Sequence, residues 1–162
     1  MAEQFVFSDP AQLLDEERFF ALSGLEFMQG MRDGQIGHPP ISGLLNYRLH
    51  EVAEGRVAFR GTAGFAHANP VGAVHGGWYG TLLDSAMACA VMTCVPKGHH
   101  YTTLEYKINI NRALPLGTEI AAVGVVSHAG RSTGVASGEI RGLADGRLYA
   151  TGLTTCLIRP RP

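Results

Sequence analysis

The sequence predicts an α+β fold: an antiparallel sheet wrapped around one long central helix, preceded by a helical extension. Three observations carry that reading. His75 to Val95, HGGWYGTLLDSAMACAVMTCV, enters through two glycines, runs on without proline, and is stopped by Pro96. The run is apolar nearly all round, with Trp78, Leu82, Cys89 and Met92 on one side and Leu83, Met87, Ala90 and Val91 on another. A helix of that kind is buried rather than laid on a surface. The stretches around it alternate with period two, the mark of half-buried strands. A sheet with one face to hide and a helix with every face to hide are both satisfied when the sheet curls around the helix.

The elements follow in order, residues 1–41 forming the extension and 42–162 the sheet-and-helix domain. Asp9-Pro10 reads as an N-cap and first-turn proline, opening a helix to about Leu22. Ser23-Gly-Leu-Glu26 matches a capping box, and Leu25, Phe27, Met28 and Met31 give the stripe of a second helix ending at Gly34. His38-Pro-Pro-Ile41 breaks that pattern and reads as a connector. Leu45, Tyr47 and Leu49, then Val57, Phe59 and Gly61, alternate about an Ala53-Glu-Gly55 turn, which predicts a hairpin.

A loop from Gly64 to Val74 leads to the central helix, about 27 Å long at about 1.5 Å per residue. Its small residues Ala86, Ala88 and Ala90 would let a sheet close tightly over it. Beyond it, Thr103 to Ile110 alternates Leu104, Tyr106, Ile108 and Ile110 against Glu105, Lys107 and Asn109, a strand with one buried face. Three more strands follow, at 119–127, 133–141 and 148–158, joined by turns at 128–131 and 144–146.

Length and composition bound the function. The 162 residues suit one domain, and 46% hydrophobic against 17% charged suits a well-buried core. A formal net charge of −1, with no Lys/Arg run, argues against binding to nucleic acid or a membrane surface. The first residues lack a basic, then apolar, leader pattern, and the longest apolar stretch carries Asp84 and is too short to cross a bilayer. Cys89, Cys94 and Cys156 are odd in number, and two sit in the apolar helix, so no disulfide framework is expected and a reducing cytoplasm is. His99-His100 has no Cys, Asp or Glu at ligand spacing and reads as a solvated loop.

One residue contradicts its surroundings. An ionised carboxylate at Asp84, in an apolar helix, costs several kcal/mol or so unless it is paired, neutralised or functional. Two turns upstream, Gly76 and Gly77 allow a ligand close to the backbone, at helix amides that lack intrahelical acceptors and sit at the positive end of the dipole. A carbonyl oxygen placed there would be polarised. Asp84 could activate water or attack directly, and Asn69 and His75 add hydrogen-bonding groups beside the entrance.

Asn69-Pro-Val-Gly-Ala-Val-His75-Gly-Gly77, followed by Leu82-Leu-Asp84-Ser-Ala86, closely resembles the signature of hotdog-fold thioesterases of the PaaI-like, phenylacetate-degradation family. Ser23 to Gly34, Pro39 to Ile41, the Gly55-Arg-Val57 hairpin and Gly130-Arg-Ser132 resemble other parts of its members. The resemblance implies a hotdog fold and hydrolysis of an acyl- or aryl-coenzyme A thioester, with coenzyme A as part of the substrate and no metal or other cofactor.

It also assigns roles. Asp84 matches the catalytic carboxylate and Gly76 the backbone N–H that binds the thioester carbonyl, with Gly77 its neighbour. Asn69 matches a residue positioning water or substrate, His75 one near the thioester, and Thr103 a hydroxyl assisting Asp84. The implied site lies between subunits, Asp84 and Thr103 facing Asn69, His75 and Gly76 of the partner subunit, in a homo-oligomer that is often a dimer of dimers. Trp78 and Tyr79 depart from the small or polar residues usual after HGG and would shape the acyl pocket. Arg131, with Arg159 behind it, is the candidate for coenzyme A phosphates. Two other functions fit the fold: an acyl-coenzyme A hydratase or dehydratase using His75 and Asp84, and a non-enzymatic acyl-coenzyme A binding module.

Overall fold

The computed structural model describes residues 4–161. Six strands form one antiparallel sheet: β1 (Tyr47–Ala53), β2 (Arg56–Thr62), β3 (His99–Ile110), β4 (Glu119–Ala129), β5 (Thr133–Gly142) and β6 (Leu148–Pro160). Their spatial order is β1-β2-β4-β5-β6-β3, so the strand that follows the central helix crosses to the far edge. Four α-helices accompany them: α1 (Glu16–Phe20), α2 (Gly24–Arg32), α3 (Pro40–Leu44) and α4 (Gly76–Met92). This is the hotdog architecture expected, with α4 lying against β2 to β6.

The sequence explains how closely the sheet wraps. Ala86, Ala90, Leu82, Leu83, Met87 and Val91 are wholly buried in α4. Opposite them the sheet presents glycine: a Cβ on Gly124 of β4 would overlap the Ala86 carbonyl, and one on Gly138 of β5 would run into Met87. The helix ends at Met92, one turn before Pro96, because Thr93 closes it. Its Oγ1 donates to the Ala90 carbonyl (2.6 Å) and accepts from the Gly55 N–H (2.7 Å), pinning the β1–β2 turn to the helix end.

The extension differs in detail from the sequence expectation. Asp9 caps only a 3-10 turn, Pro10–Gln12, and the helix expected to run on to Leu22 starts afresh as α1, capped by Asp15. The Ser23–Glu26 capping box opens α2 as anticipated. Pro39–Ile41 is not merely a connector, since Pro40 is the first residue of α3, where a missing N–H costs nothing. The hairpin begins at Tyr47 rather than Leu45, because Asn46 turns the chain with φ 53°.

The larger correction is β3. It begins at His99, so His99-His100 is strand and not loop, and a bulge between Thr103 and Glu105 switches which face its side chains take. Tyr101 and Thr103 face α4 before the bulge, and Tyr106, Ile108 and Ile110 approach it at Gly80 and Gly76 after it. The apolar face expected to be buried is largely open, with Leu104, Tyr106 and Ile110 46–57% exposed. An edge strand has a neighbour on one side only, and here that neighbour is β6. Similarly, His128 and Ala129, expected in a turn, extend β4 past a bulge.

Candidate active site

The N-terminus of α4 is built by its own loop. Between Ala68 and Val74, which bridge across it, Asn69 folds inward: its Oδ1 accepts from the N–H groups of Val71 (3.1 Å) and Ala73 (3.0 Å). Gly72, at φ 80°, makes the reversal that brings its own N–H to the Asn69 carbonyl (2.9 Å). His75 then hangs from the His67 carbonyl (2.9 Å) and becomes the N-cap of α4. Asn69 therefore shapes the loop with its oxygen as well as standing beside the helix entrance.

His75 decides which amide is left over. Its Nδ1 accepts from the Gly77 N–H (2.9 Å), and its carbonyl accepts from the Trp78 N–H (3.0 Å). A cap of this kind satisfies one of the donors a helix N-terminus leaves bare. Gly77 has to be small for it, since a Cβ there would sit 3.0 Å from the ring nitrogen. The Gly76 N–H, at the first helical position, has no acceptor among the described residues and stands at the positive end of the helix. Ile110 of β3 is its side-chain neighbour.

Asp84 lies eight residues further along α4, about 12 Å of rise from Gly76. Thr103 of β3 donates its hydroxyl to Asp84 Oδ1 (3.1 Å). Burial raises the Asp84 carboxyl from its ordinary value, and the Thr103 hydrogen bond, which favours the charged form, opposes it. Half-buried, raised and held by one hydroxyl, this carboxylate is suited to take a proton from a water molecule at neutral pH.

One chain thus places the expected residues in two separate groups, Asn69–His75–Gly76–Gly77 at the entrance of α4 and Asp84–Thr103 further along it. Trp78 is 2% exposed, its Nε1 donates to the Leu45 carbonyl (2.9 Å), and its ring stacks against His67 at 6.4 Å. It forms one wall of a cleft of about 360 Å³ shared with Ile41, His75 and Thr81. Tyr79 points elsewhere, accepting the Leu114 N–H on its hydroxyl (2.8 Å). Arg131 is exposed in the β4–β5 turn. That hairpin passes beneath Val91, seven residues beyond Asp84 and away from Gly76.

Sequence reasoning missed the groups flanking Asp84 on the other side. Cys89 of α4 and Tyr101 of β3 lie beside it, and burial pushes the Cys89 thiol up to about 12 and the Tyr101 phenol well above its usual range. Both stay neutral. A partial signal was available, since Tyr101 precedes Thr103 by two residues and so shares its face of the strand. Among the described residues no three His, Cys, Asp or Glu side chains cluster as a metal site would need, and no helix is long and apolar enough to cross a membrane.

Comparison with known proteins gives a consistent picture. A sequence model of the thioesterase superfamily matches residues 71–148, which include His75, Gly76, Gly77, Asp84 and Thr103 but not Asn69. Acyl-coenzyme A thioesterase 13 of Mus musculus is 29% identical over 89 residues, 55% of this chain and 63% of that protein, so the match spans a little under two thirds of the relative's length. A mutant of the phenylacetic acid degradation protein PaaI from Thermus thermophilus superposes with a TM-score of 0.67 at 26% identity, covering 73% of this chain and 97% of that one. A hypothetical thioesterase protein with coenzyme A from Streptococcus pneumoniae also gives 0.67 at 26% identity, covering 75% and 91%.

Proposed function

We propose that this chain is a thioesterase of the PaaI-like, hotdog-fold kind and that it hydrolyses an acyl-coenzyme A thioester to the free acid and coenzyme A. The observation that carries the proposal is that one helix presents both a half-buried carboxylate of raised pKa, Asp84 on Thr103, and an unclaimed amide at its first turn, Gly76. Acyl transfer to water needs those two things: a base for the attacking water and a donor for the oxyanion.

A water molecule held at Asp84 gives its proton to the carboxylate as its oxygen attacks the thioester carbonyl carbon. The carbonyl oxygen, now negative, is held by the Gly76 N–H. Collapse of the tetrahedral species breaks the carbon–sulfur bond, and the proton on Asp84 passes to the departing thiolate. Asp84 acting directly as nucleophile reaches the same products through an acyl-enzyme that water then cleaves. Because about 12 Å of helix separates Gly76 from Asp84, we further propose that each site is completed between two copies of the chain. Asp84 and Thr103 of one copy then meet Gly76, His75 and Asn69 of the other. Arg131 is assigned to the coenzyme A phosphates.

Coenzyme A in the Streptococcus pneumoniae neighbour supports the substrate class. The test is thiol release from acetyl-, hexanoyl-, lauroyl-, benzoyl- and phenylacetyl-coenzyme A by wild type and Asp84→Asn. Loss of a positioned base costs about 10²–10⁴-fold. A loss of under tenfold with the best thioester removes Asp84 from the mechanism.

A further inference from the structure

We propose that the apolar cavity between the N-terminal extension and the second half of α4 receives the tail of a straight-chain acyl group of medium length, an assignment that rests on the thioesterase reading. The cavity measures about 350 Å³, within the range of about 300–1,000 Å³ of small-molecule sites. Phe7, Leu13 and Phe19 of the extension, with Met31 of α2, form its outer wall, and Cys89, Met92 and Tyr101 form the inner one. Aromatic rings and flexible methionines make an adaptable apolar lining.

Its position relative to Asp84 is what selects an acyl tail. Tyr101 precedes Thr103 by two residues of strand, about 6.6 Å. Cys89 follows Asp84 by five residues of helix, about 7.5 Å. A thioester with its carbonyl at Asp84 therefore reaches the inner wall after a few methylenes. The side-chain hydrogen bond between Cys89 and Tyr101 must part to admit the tail, and at about 30 Å³ each, the size of a water in the liquid, the cavity beyond takes roughly ten methylene-sized groups at most. The polar side chains at the inner wall are the Cys89 thiol and the Tyr101 phenol, both held neutral by burial, so the site offers nothing to a charged tail. Leu13, 53% exposed, stands at the outer rim, where the end of a chain would arrive.

The extension is thus more than a cover for the core. It sets the far end of the acyl site with residues outside the stretch matched by the superfamily model, 71–148.

The test uses the full chain, with an acyl-coenzyme A series from butanoyl to lauroyl, benzoyl- and phenylacetyl-coenzyme A, and non-hydrolysable S-alkyl-coenzyme A thioethers. Each methylene moved from water into an apolar site contributes about 0.8 kcal/mol, about fourfold. In wild type, kcat/KM and thioether affinity should climb by about that factor per methylene to a chain of medium length.

Leu13→Trp, at an exposed rim position, should lower the decanoyl-to-butanoyl ratio of kcat/KM at least tenfold. Phe19→Ala should move the optimum to longer chains. Unaltered ratios in both folded variants overturn the cavity assignment while leaving hydrolysis intact, and a preference for benzoyl or phenylacetyl overturns the straight-chain assignment. If no thioester is hydrolysed, the thioesterase reading falls. The cavity assignment then stands or falls on whether thioether affinity depends on chain length in wild type and loses that dependence in Leu13→Trp.

Discussion

Gly76 occupies the first helical position of α4, which makes an unusually clean test of a backbone donor possible. Proline is favoured at that position because its fixed φ suits the first turn and its missing N–H has no helical partner. The preceding residue, His75, already has the extended conformation proline requires, φ −64° and ψ 139°. Gly76→Pro should therefore keep the helix, shown by an unchanged circular dichroism spectrum, while deleting the proposed oxyanion donor. The expected loss in kcat is about 10²–10³-fold; near-wild-type turnover would assign the carbonyl to another group. Thr103 gives the companion prediction. Its hydroxyl bonds the charged form of Asp84 and so lowers a pKa that burial raises. A base works as the carboxylate, so activity falls as pH drops through that pKa. Thr103→Val removes only the lowering contribution, and the acid limb of the kcat/KM profile should move to higher pH. A limb that stays in place, or moves down, means that Thr103 does not set the Asp84 ionisation.

At the scale of elements, α4 was legible because its punctuation and its burial agree. Two glycines open it, Pro96 lies beyond its end, and apolar residues on every side leave burial as the only outcome. The sheet glycines that let it sit so close, Gly124 and Gly138, carry no period and show their purpose only once the helix lies across them. Strand β3 was half legible. Its alternation marks a face correctly, but no local pattern says that it is an edge, or that a bulge at Thr103 precedes that face. Asp84, Gly76 and Thr103 could be singled out as candidates, whereas the His75 cap on Gly77 and the Cys89–Tyr101 neighbourhood depend on how the chain folds back on itself.

The extension contributes an element whose cost the sequence also hides. His38 bridges Val6 in a short parallel pairing and is fully buried, with neither ring nitrogen hydrogen-bonded. Burial, aided by the Arg48 charge, depresses its pKa from 6.5 to about 4. Between those values the unfolded chain binds the proton and the folded one does not, so stability is full above pH 6.5 and declines as pH falls towards 4. His38→Leu gives up only a poorly aligned approach of the ring to the Met31 backbone and no longer titrates, so thermal melts from pH 7 to pH 4 should show a shallower decline in Tm than wild type. Parallel declines would place the acid sensitivity elsewhere.

For the whole molecule the governing constraint on the proposed mechanism is that one helix carries both Gly76 and Asp84 and cannot fold them onto each other. Gly76 and Asp84 are fixed about 12 Å apart along a buried rod, so no side-chain rearrangement in a single copy puts both on one carbonyl. The exposed Leu104, Tyr106 and Ile110 lie on β3, the strand that runs from Asp84 at Thr103 to Gly76 at Ile110. A second copy meeting this chain along β3 would cover apolar surface and join opposite half-sites in one event. In such an isologous pair, two inactive variants complement each other. Asp84→Asn spoils one half and Gly76→Pro the other, and a mixed pair contains one site carrying both defects and one carrying neither. Co-refolding the two in equal amounts should recover about a quarter of wild-type activity, since half of randomly formed pairs are mixed and each has one intact site. Either variant refolded alone should remain inactive. No recovery, with mixed pairs shown to have formed by affinity-tag exchange, would require each copy to hold a complete site, and Gly76 would then be excluded as the oxyanion donor to the carbonyl attacked at Asp84.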